Sequence, residues 1–251
     1  LKSFLLGVAN LLAWVWRLLP GRLRSSLLTG LFVLDSRDTN PADGLQRLFA
    51  LKDRLEWVIN ERAMAYGKGE HPKHRLTDYH RFFIDRISDG ERVLDVGCGY
   101  GAVARSIARA RPRSVVTGIE MNGIRLAQAR SADNPPNLSF VEGDATREVP
   151  PGGWDVVVLS NVLEHLRDRA GFLVKLQDVS RASRYLIRVP LFERDWQLPL
   201  RRELGVNYFS DDDHKIEHRL GEFHAEINAA GLHAVEIFTL WGEIWADCRH
   251  Q

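Results

Sequence analysis

The spacing of apolar residues changes character near residue 90. Before it, DGLQRLFALKDRLEWVINERAMAYG places Leu45, Leu48, Phe49, Leu51, Leu55, Val58 and Ile59 mostly at three- and four-residue intervals. That pattern predicts one long amphipathic helix closed by Gly67. A basic loop, KGEHPKHR, leads into a second predicted helix, LTDYHRFFIDRI, ending near Gly90. From residue 91 the period shortens. Valine- and isoleucine-rich runs of strand length (RVLDV, SVVTGIE, LSFVE, WDVVVLS, YLIRVP) alternate with helix-like stretches. A last helix, LGEFHAEINAAG, and two strands, HAVEIFTL and EIWADC, follow. Such alternation predicts an α/β domain whose doubly wound, seven-stranded sheet is mostly parallel.

The first 34 residues are a separate physical object. FLLGVANLLAWVW is apolar apart from Asn10, yet shorter than the roughly 20 residues a bilayer-spanning helix needs. Arg17 and a Pro20-Gly21 break follow it. Residues 1–34 hold four cations (Lys2, Arg17, Arg22, Arg24) and no acid, so with a formal charge of +1 for the whole chain the remainder carries −3. Two readings stay open: a helix lying in a membrane interface, or one docked on a partner or on this protein's own core. No A-x-A-like cleavage site follows, which argues against a secretory signal. The chain begins with Leu, so its natural start is expected upstream. The organisation expected is an interfacial helix over 1–34, a helical cap on the substrate side over 35–90, and the α/β domain over 91–251. A near-neutral balance disfavours a polyanion scaffold. Two cysteines, Cys98 and Cys248, make no disulfide framework and fit a reducing cytoplasm, with the first 34 residues placing the protein at the inner face of the cell membrane.

The first strand runs into DVGCGYGAVA, with Gly97, Gly99 and Gly101 at two-residue intervals. Glycines at a strand-to-helix turn let backbone approach a ligand closely. A dinucleotide fingerprint would place its third glycine one residue later. Asp95 ahead of the loop would repel a pyrophosphate but suits a cationic amino-acid group. A nucleoside without phosphates is the ligand expected. These residues resemble the first motif of the class I S-adenosylmethionine-dependent methyltransferases, whose fold is Rossmann-like, and the likeness runs from about Glu91 to Cys248. It implies that Gly97, Gly99 and Gly101 line the methionine part of the cofactor, with Asp95 and Cys98 beside them. It also implies that Glu120, followed by Met121, accepts hydrogen bonds from the ribose hydroxyls. Asp144 and Ala145 take the adenine position, and Asn161 at the end of the fourth strand is counted with the cofactor set.

SNVLEHL and DHKIEHRLGEF carry the remaining chemistry. The second resembles a segment of small-RNA 3′-terminal 2′-O-methyltransferases, which join an E-x-x-E-H motif to a later D-H-K-F-E-W and hold a divalent metal with them. The resemblance implies Glu164, His165 and His214 as ligands. The first glutamate position is Asn161 here, a neutral amide that is a weaker candidate ligand, and His218 is a further candidate if 214–218 is helical. A divalent ion would lower the pKa of a hydroxyl bound to it, and a vicinal diol would chelate the ion. Mg, Mn, Zn and Fe all suit oxygen and imidazole ligands. His165 or His214 could instead act as a general base without metal. The LEH segment is also similar to methyltransferases of ubiquinone synthesis.

Between the fifth strand and the last helix lies VPLFERDWQLPLRRELGVNYFSDDD, long enough to be functional. Trp196, Phe192 and Tyr208 could stack on a sugar or base, and Arg194, Arg201 and Arg202 could hold a phosphate or carboxylate. Lys73 and His74 are added from the basic loop as candidate acceptor contacts. The arrangement is loosely similar to bacterial polysaccharide methyltransferases, which implies a diol of a glycan or lipid-linked saccharide as acceptor. Methylation of an RNA 3′ end is opposed by the charge balance and by the lack of a recognisable RNA module. A different small-molecule acceptor, or a non-catalytic cofactor-binding protein, completes the alternatives.

Overall fold

The computed structural model describes residues 2–69 and 71–250, with side chains from residue 7 onward. Leu1, read as an incomplete start, Glu70 of the basic loop, and the side chains of Lys2 and of Phe4–Leu6 in the first apolar run lie outside the described residues.

Seven strands form one sheet: β1 (Arg92–Val96), β2 (Val115–Glu120), β3 (Leu138–Glu142), β4 (Val156–Ser160), β5 (Arg184–Pro190), β6 (Leu232–Leu240) and β7 (Glu243–His250). Their spatial order is β3-β2-β1-β4-β5-β7-β6. Every pair is parallel except those of β7, which runs antiparallel to β5 and β6. The fold is therefore the doubly wound, mostly parallel seven-stranded sheet that the apolar runs predict. Successive residues of a strand face opposite sides. Val93, Val156 and Val158 pack on one face with Phe83, Val103 and Ile107, while Leu94, Val157 and Leu159 pack on the other with Phe172, Leu176 and Phe223. Both faces are covered, which is why these strands read as continuous apolar runs. The covering helices are α5 (His80–Asp85) and α6 (Ala102–Ala110) on the first face, and α8 (Arg169–Ser180) and α10 (Leu220–Ala229) on the second. A further helix, α7 (Gly123–Ser131), follows β2.

The helices ahead of the sheet depart from the reading in two places. The first 35 residues form two helices, α1 (Lys2–Arg17) and α2 (Gly21–Asp35), with the break at Pro20. The second predicted helix is divided into α4 (Lys73–Thr77) and α5, because Asp78 adopts a left-handed conformation at φ 46° that ends α4. The long helix α3 (Pro41–Tyr66) is one element, capped by Asn40 accepting from Ala42 N and terminated at Gly67. No described helix is long and apolar enough to cross a membrane.

The sheet changes direction of winding between β1 and β4, whose neighbours run outward on either side. Ligands of such sheets bind at the carboxyl ends of the strands beside that point.

Candidate active site

A cavity of about 440 Å³ opens there, lined by Val96 and Gly97 after β1, Glu120 and Met121 after β2, Asp144, Ala145 and Thr146 after β3, and Asn161 and His165 after β4. Glu120 is almost buried and holds the turn together: Oε2 accepts from Gly99 N (2.9 Å) and Oε1 from Asn122 N (2.7 Å). Asp144 accepts from Thr146 N (3.0 Å) and Oγ1 (2.6 Å), and these bonds hold its carboxyl below the usual range.

The three glycines do different work. Gly97, at φ 64°, borders the cavity, and a Cβ there would stand 3.0 Å from Val162 Cγ2. Gly101, at φ 73°, packs instead on the sheet, where a Cβ would lie 2.4 Å from the Phe140 ring. It serves the close approach of α6 to β3 and does not border the cavity. Asp95 and Cys98 sit behind the wall as well. Asp95 is 1% exposed, and burial pushes its carboxyl up to about 7. Burial likewise raises the Cys98 thiol, so it stays protonated at neutral pH.

Beside this cavity Glu164, His165 and His214 present ligand atoms all within 4.8 Å of one another. Glu164 and His165 occupy a single 3-10 turn, Leu163–His165, shortly after β4. His214 arrives from a loop 49 residues after His165, held in place because Lys215 N donates to Glu164 O (2.7 Å). The two imidazole rings meet edge to face at 4.7 Å. Glu164 is wholly buried, and neither carboxylate oxygen has a hydrogen-bond partner among the described residues. Burial pushes its pKa up to about 7. The Asn161 amide lies near enough to lower that value somewhat, without forming a well-aligned bond. Asn161 itself has φ 59° and a buried, unpaired Oδ1.

Glu217 is the residue that sequence reasoning missed. Its carboxylate, with no exposed side-chain surface, accepts from Ser210 N (2.7 Å), Ser210 Oγ (2.9 Å), Arg194 and His214 Nδ1 (3.0 Å). That bond places the proton on Nδ1 and leaves Nε2 as the lone-pair nitrogen of His214. Burial alone would lower the pKa of His214, but the Glu217 bond and the charges of Glu164 and Glu217 raise it above its ordinary value. His165 goes the other way: burial lowers it, although Asp213 Oδ1 lies 3.0 Å from Nδ1. The available signal for Glu217 was its spacing three residues after His214, on a segment whose shape the sequence does not reveal.

His218 is not part of the cluster. It is fully buried, with Nε2 3.1 Å from Glu226 Oε1, and its backbone bonds to Pro190 and Phe192 tie the loop to β5. Residues 214–218 are not helical, so the four-residue spacing does not bring the two histidines onto one face.

A second, larger cavity of about 1180 Å³ lies between α3 and the segment 194–212, whose central helix is α9 (Gln197–Glu203), with Trp57, Tyr208, Phe209 and Trp241 among its walls. It carries five carboxylates (Asp53, Glu56, Asp195, Asp211, Asp212) against three cations. All three cations are engaged: Arg194 by Glu217, Arg201 by Asp53 (2.7 Å), and Lys52 by Gln197 (2.6 Å). The arginines read as anion holders thus brace the walls. Arg202 lies over the buried Phe192 ring at 5.0 Å, so that neither it nor Phe192 faces the cavity. Trp196 is exposed outside it, and Lys73 and His74 on α4 border neither cavity.

Residues 93–182 match a family model described as a methyltransferase domain. The ubiquinone biosynthesis O-methyltransferase of Albidiferax ferrireducens is 36% identical over 106 residues, which is 39% of this chain and 41% of that protein. The trans-aconitate 2-methyltransferase of Rhodopseudomonas palustris is 29% identical over 126 residues, 44% of this chain and 48% of that protein. Each match spans less than half of the relative's length. Among solved structures, the magnesium protoporphyrin IX methyltransferase of Synechocystis PCC 6803 with bound SAH superposes with a TM-score of 0.55 at 15% identity, covering 71% of this chain and 83% of that one. Sheet order, glycine turn, cavity and matched segment make this a class I S-adenosylmethionine-dependent methyltransferase domain. The cofactor of a domain of this class is S-adenosylmethionine.

Proposed function

We propose that the protein is an O-methyltransferase acting on one hydroxyl of a vicinal diol in an uncharged saccharide, with a divalent ion held by Glu164, His165 and His214. The observation that carries this reading is Glu164: a carboxylate with no exposure and no hydrogen-bond partner among the described residues, close to two histidines at the edge of the 440 Å³ cavity. A buried anion left this way is costly, and a cation is the partner its surroundings suit. The donor set fits an ion that takes oxygen and imidazole ligands. When bound, such an ion acidifies a coordinated hydroxyl and chelates two neighbouring oxygens.

The protein's own residues supply orientation. Glu217 holds His214 through Nδ1, which leaves Nε2 of that ring as its free donor atom, and the Asp213 carboxylate stands 3.0 Å from Nδ1 of His165. The glycine turn and Glu120 border the cavity that would hold S-adenosylmethionine, whose methyl group would be transferred at the edge where Asn161 and His165 line it. Methyl transfer then forms the oxygen–carbon bond as the sulfur–carbon bond breaks, in line, with the hydroxyl proton lost to solvent or a nearby base. The larger cavity supports an uncharged acceptor, since its carboxylates outnumber its cations and its tryptophans suit the apolar face of a sugar. The same excess of acid disfavours a nucleic-acid end.

The test combines elemental analysis with transfer of a labelled methyl group. Wild type should hold about one divalent ion per chain and methylate saccharides with a free vicinal diol. Glu164→Gln and His214→Ala should lose both properties while binding S-adenosylmethionine normally. A metal-free wild type with full activity would overturn the metal assignment, and turnover of acceptors lacking a diol would overturn the acceptor class.

A further inference from the structure

We propose that α1 and α2 form an in-plane anchor that docks the protein on an anionic phospholipid surface. The described side chains of α1, from Gly7 onward, do not pack into this protein's own core. Leu11 is 70% exposed, Trp14 64%, Leu18 74% and Leu34 70%, and no residue of α2 is buried. Val8, Leu12, Val15, Trp16, Leu31 and Phe32 are exposed as well. An apolar surface this extensive on a monomer marks a docking face.

Charge and length identify the occupant. Residues 1–34 contribute four cations and no carboxylate, which complements an acidic headgroup layer. A second copy of the chain is the poorer partner: across a two-fold interface built from these helices cations would face cations, and the one acid of α2, its last residue Asp35, already lies 4.0 Å from Arg47. The α1 helix has 16 residues, about 24 Å of rise, against a hydrocarbon core of about 30 Å. Pro20 breaks the chain after it, and Arg22 and Arg24 open α2. Two short helices joined at a proline, with tryptophans and arginines close together, suit the headgroup boundary rather than a crossing.

The anchor is joined firmly to the acceptor side. Arg47 Nε donates to Asp35 O (2.9 Å) and pairs with Asp38 (2.8 Å), which fastens the end of α2 to the start of α3. Gly44 permits this contact, since a Cβ there would lie 2.3 Å from Ser36 O. Gln46 then bonds to Leu204 O (2.9 Å) and Asp53 to Arg201, so α3 is fixed against α9. From Gly44 to Trp57, a wall of the larger cavity, the helix rises about 20 Å. A saccharide carried on a lipid would meet the cavity within about that distance of the bilayer. This last consequence rests on the proposed acceptor; the docking itself does not.

The experiment is co-sedimentation of the full chain with vesicles of phosphatidylcholine alone or mixed with phosphatidylglycerol, with S-adenosylmethionine affinity measured on every sample. Strong binding to the mixed vesicles, weakened by salt, is expected. Arg22→Gln/Arg24→Gln should weaken it about fivefold per cation removed. Leu11→Asn/Leu31→Asn should abolish binding on both vesicle types with cofactor affinity unchanged, which shows that the domain still folds. Failure to bind phosphatidylglycerol vesicles overturns the proposal. So does a concentration-dependent dimer, abolished by Leu11→Asn/Leu31→Asn, that ignores vesicles, since it would assign the face to a second copy. Vesicle binding with no saccharide methylation would sink the proposed acceptor and leave the anchor standing.

Discussion

Replacing Glu217 with Gln tests whether the site is organised from behind its ligands. Four donors converge on this carboxylate, from Ser210 N, Ser210 Oγ, His214 Nδ1 and Arg194, and its side chain has no exposed surface. The amide keeps the shape but removes the charge, leaving Arg194 with a neutral partner and turning one donor group against another. Disrupting a buried ion pair by neutralising one member costs about 3 kcal/mol. Metal affinity should fall by about 10- to 100-fold, the usual cost of losing the group that orients a ligating histidine. The stability loss has a pH signature in the metal-free protein. His214 is raised above 6.5 when folded, so its contribution is complete below 6.5 and is lost as pH rises through the folded value. Glu217 is lowered below 4.5, so its contribution is present above 4.5 and lost as pH falls. The difference between wild type and Glu217→Gln in urea denaturation with chelator should therefore be largest between about 4.5 and 6.5. A flat difference below about 1 kcal/mol, together with unchanged metal binding, would refute the role given to Glu217.

Glu164 should behave in the opposite sense. Its folded pKa of about 7 lies above the ordinary 4.5, so the folded protein binds the extra proton and metal-free stability at this site falls as pH rises from 4.5 to 7. Glu164→Gln should remove that slope and, without metal, be more stable than wild type at pH 8 by up to about 3 kcal/mol, read from denaturant midpoints. Gly101→Ala should cost about 3 kcal/mol, because its Cβ would meet the Phe140 ring at 2.4 Å in a left-handed conformation, whereas Gly99→Ala meets open space and should cost about 1 kcal/mol. Equal losses in thermal unfolding would remove the packing explanation. Glu120→Gln should weaken S-adenosylmethionine binding by about tenfold or more in calorimetry, since one acceptor oxygen on the cavity wall becomes a donor amide and loosens the turn held through Gly99 and Asn122. Unchanged affinity would separate Glu120 from the cofactor.

Much of this protein was determined locally, and those parts were readable from the chain. The inner strands follow from apolar runs, because a sheet covered on both faces buries side chains on either side of those strands and selects mostly apolar residues there. The glycine turn announced itself because backbone conformation at Gly97 and Gly101 is a property of those residues. Glu164 and His165 are adjacent, so their proximity was certain before any fold was known. Tertiary structure decided what depends on distant segments meeting. His214 is brought to Glu164 by a loop that the Lys215 backbone bond fastens there, and His218, four residues on, turns away to Glu226 because the segment is not helical. Arg194 and Arg201 looked like anion holders until their carboxylate partners, the buried Glu217 and the distant Asp53, came into view. Gly101 could be placed in the turn from sequence, but its task was set by Phe140 on another strand. The apolar N-terminal run left open in sequence what it packs against, since hydrophobicity says that a surface needs covering, and only the fold shows that the side chains described from Gly7 to Leu18 stay outside the core.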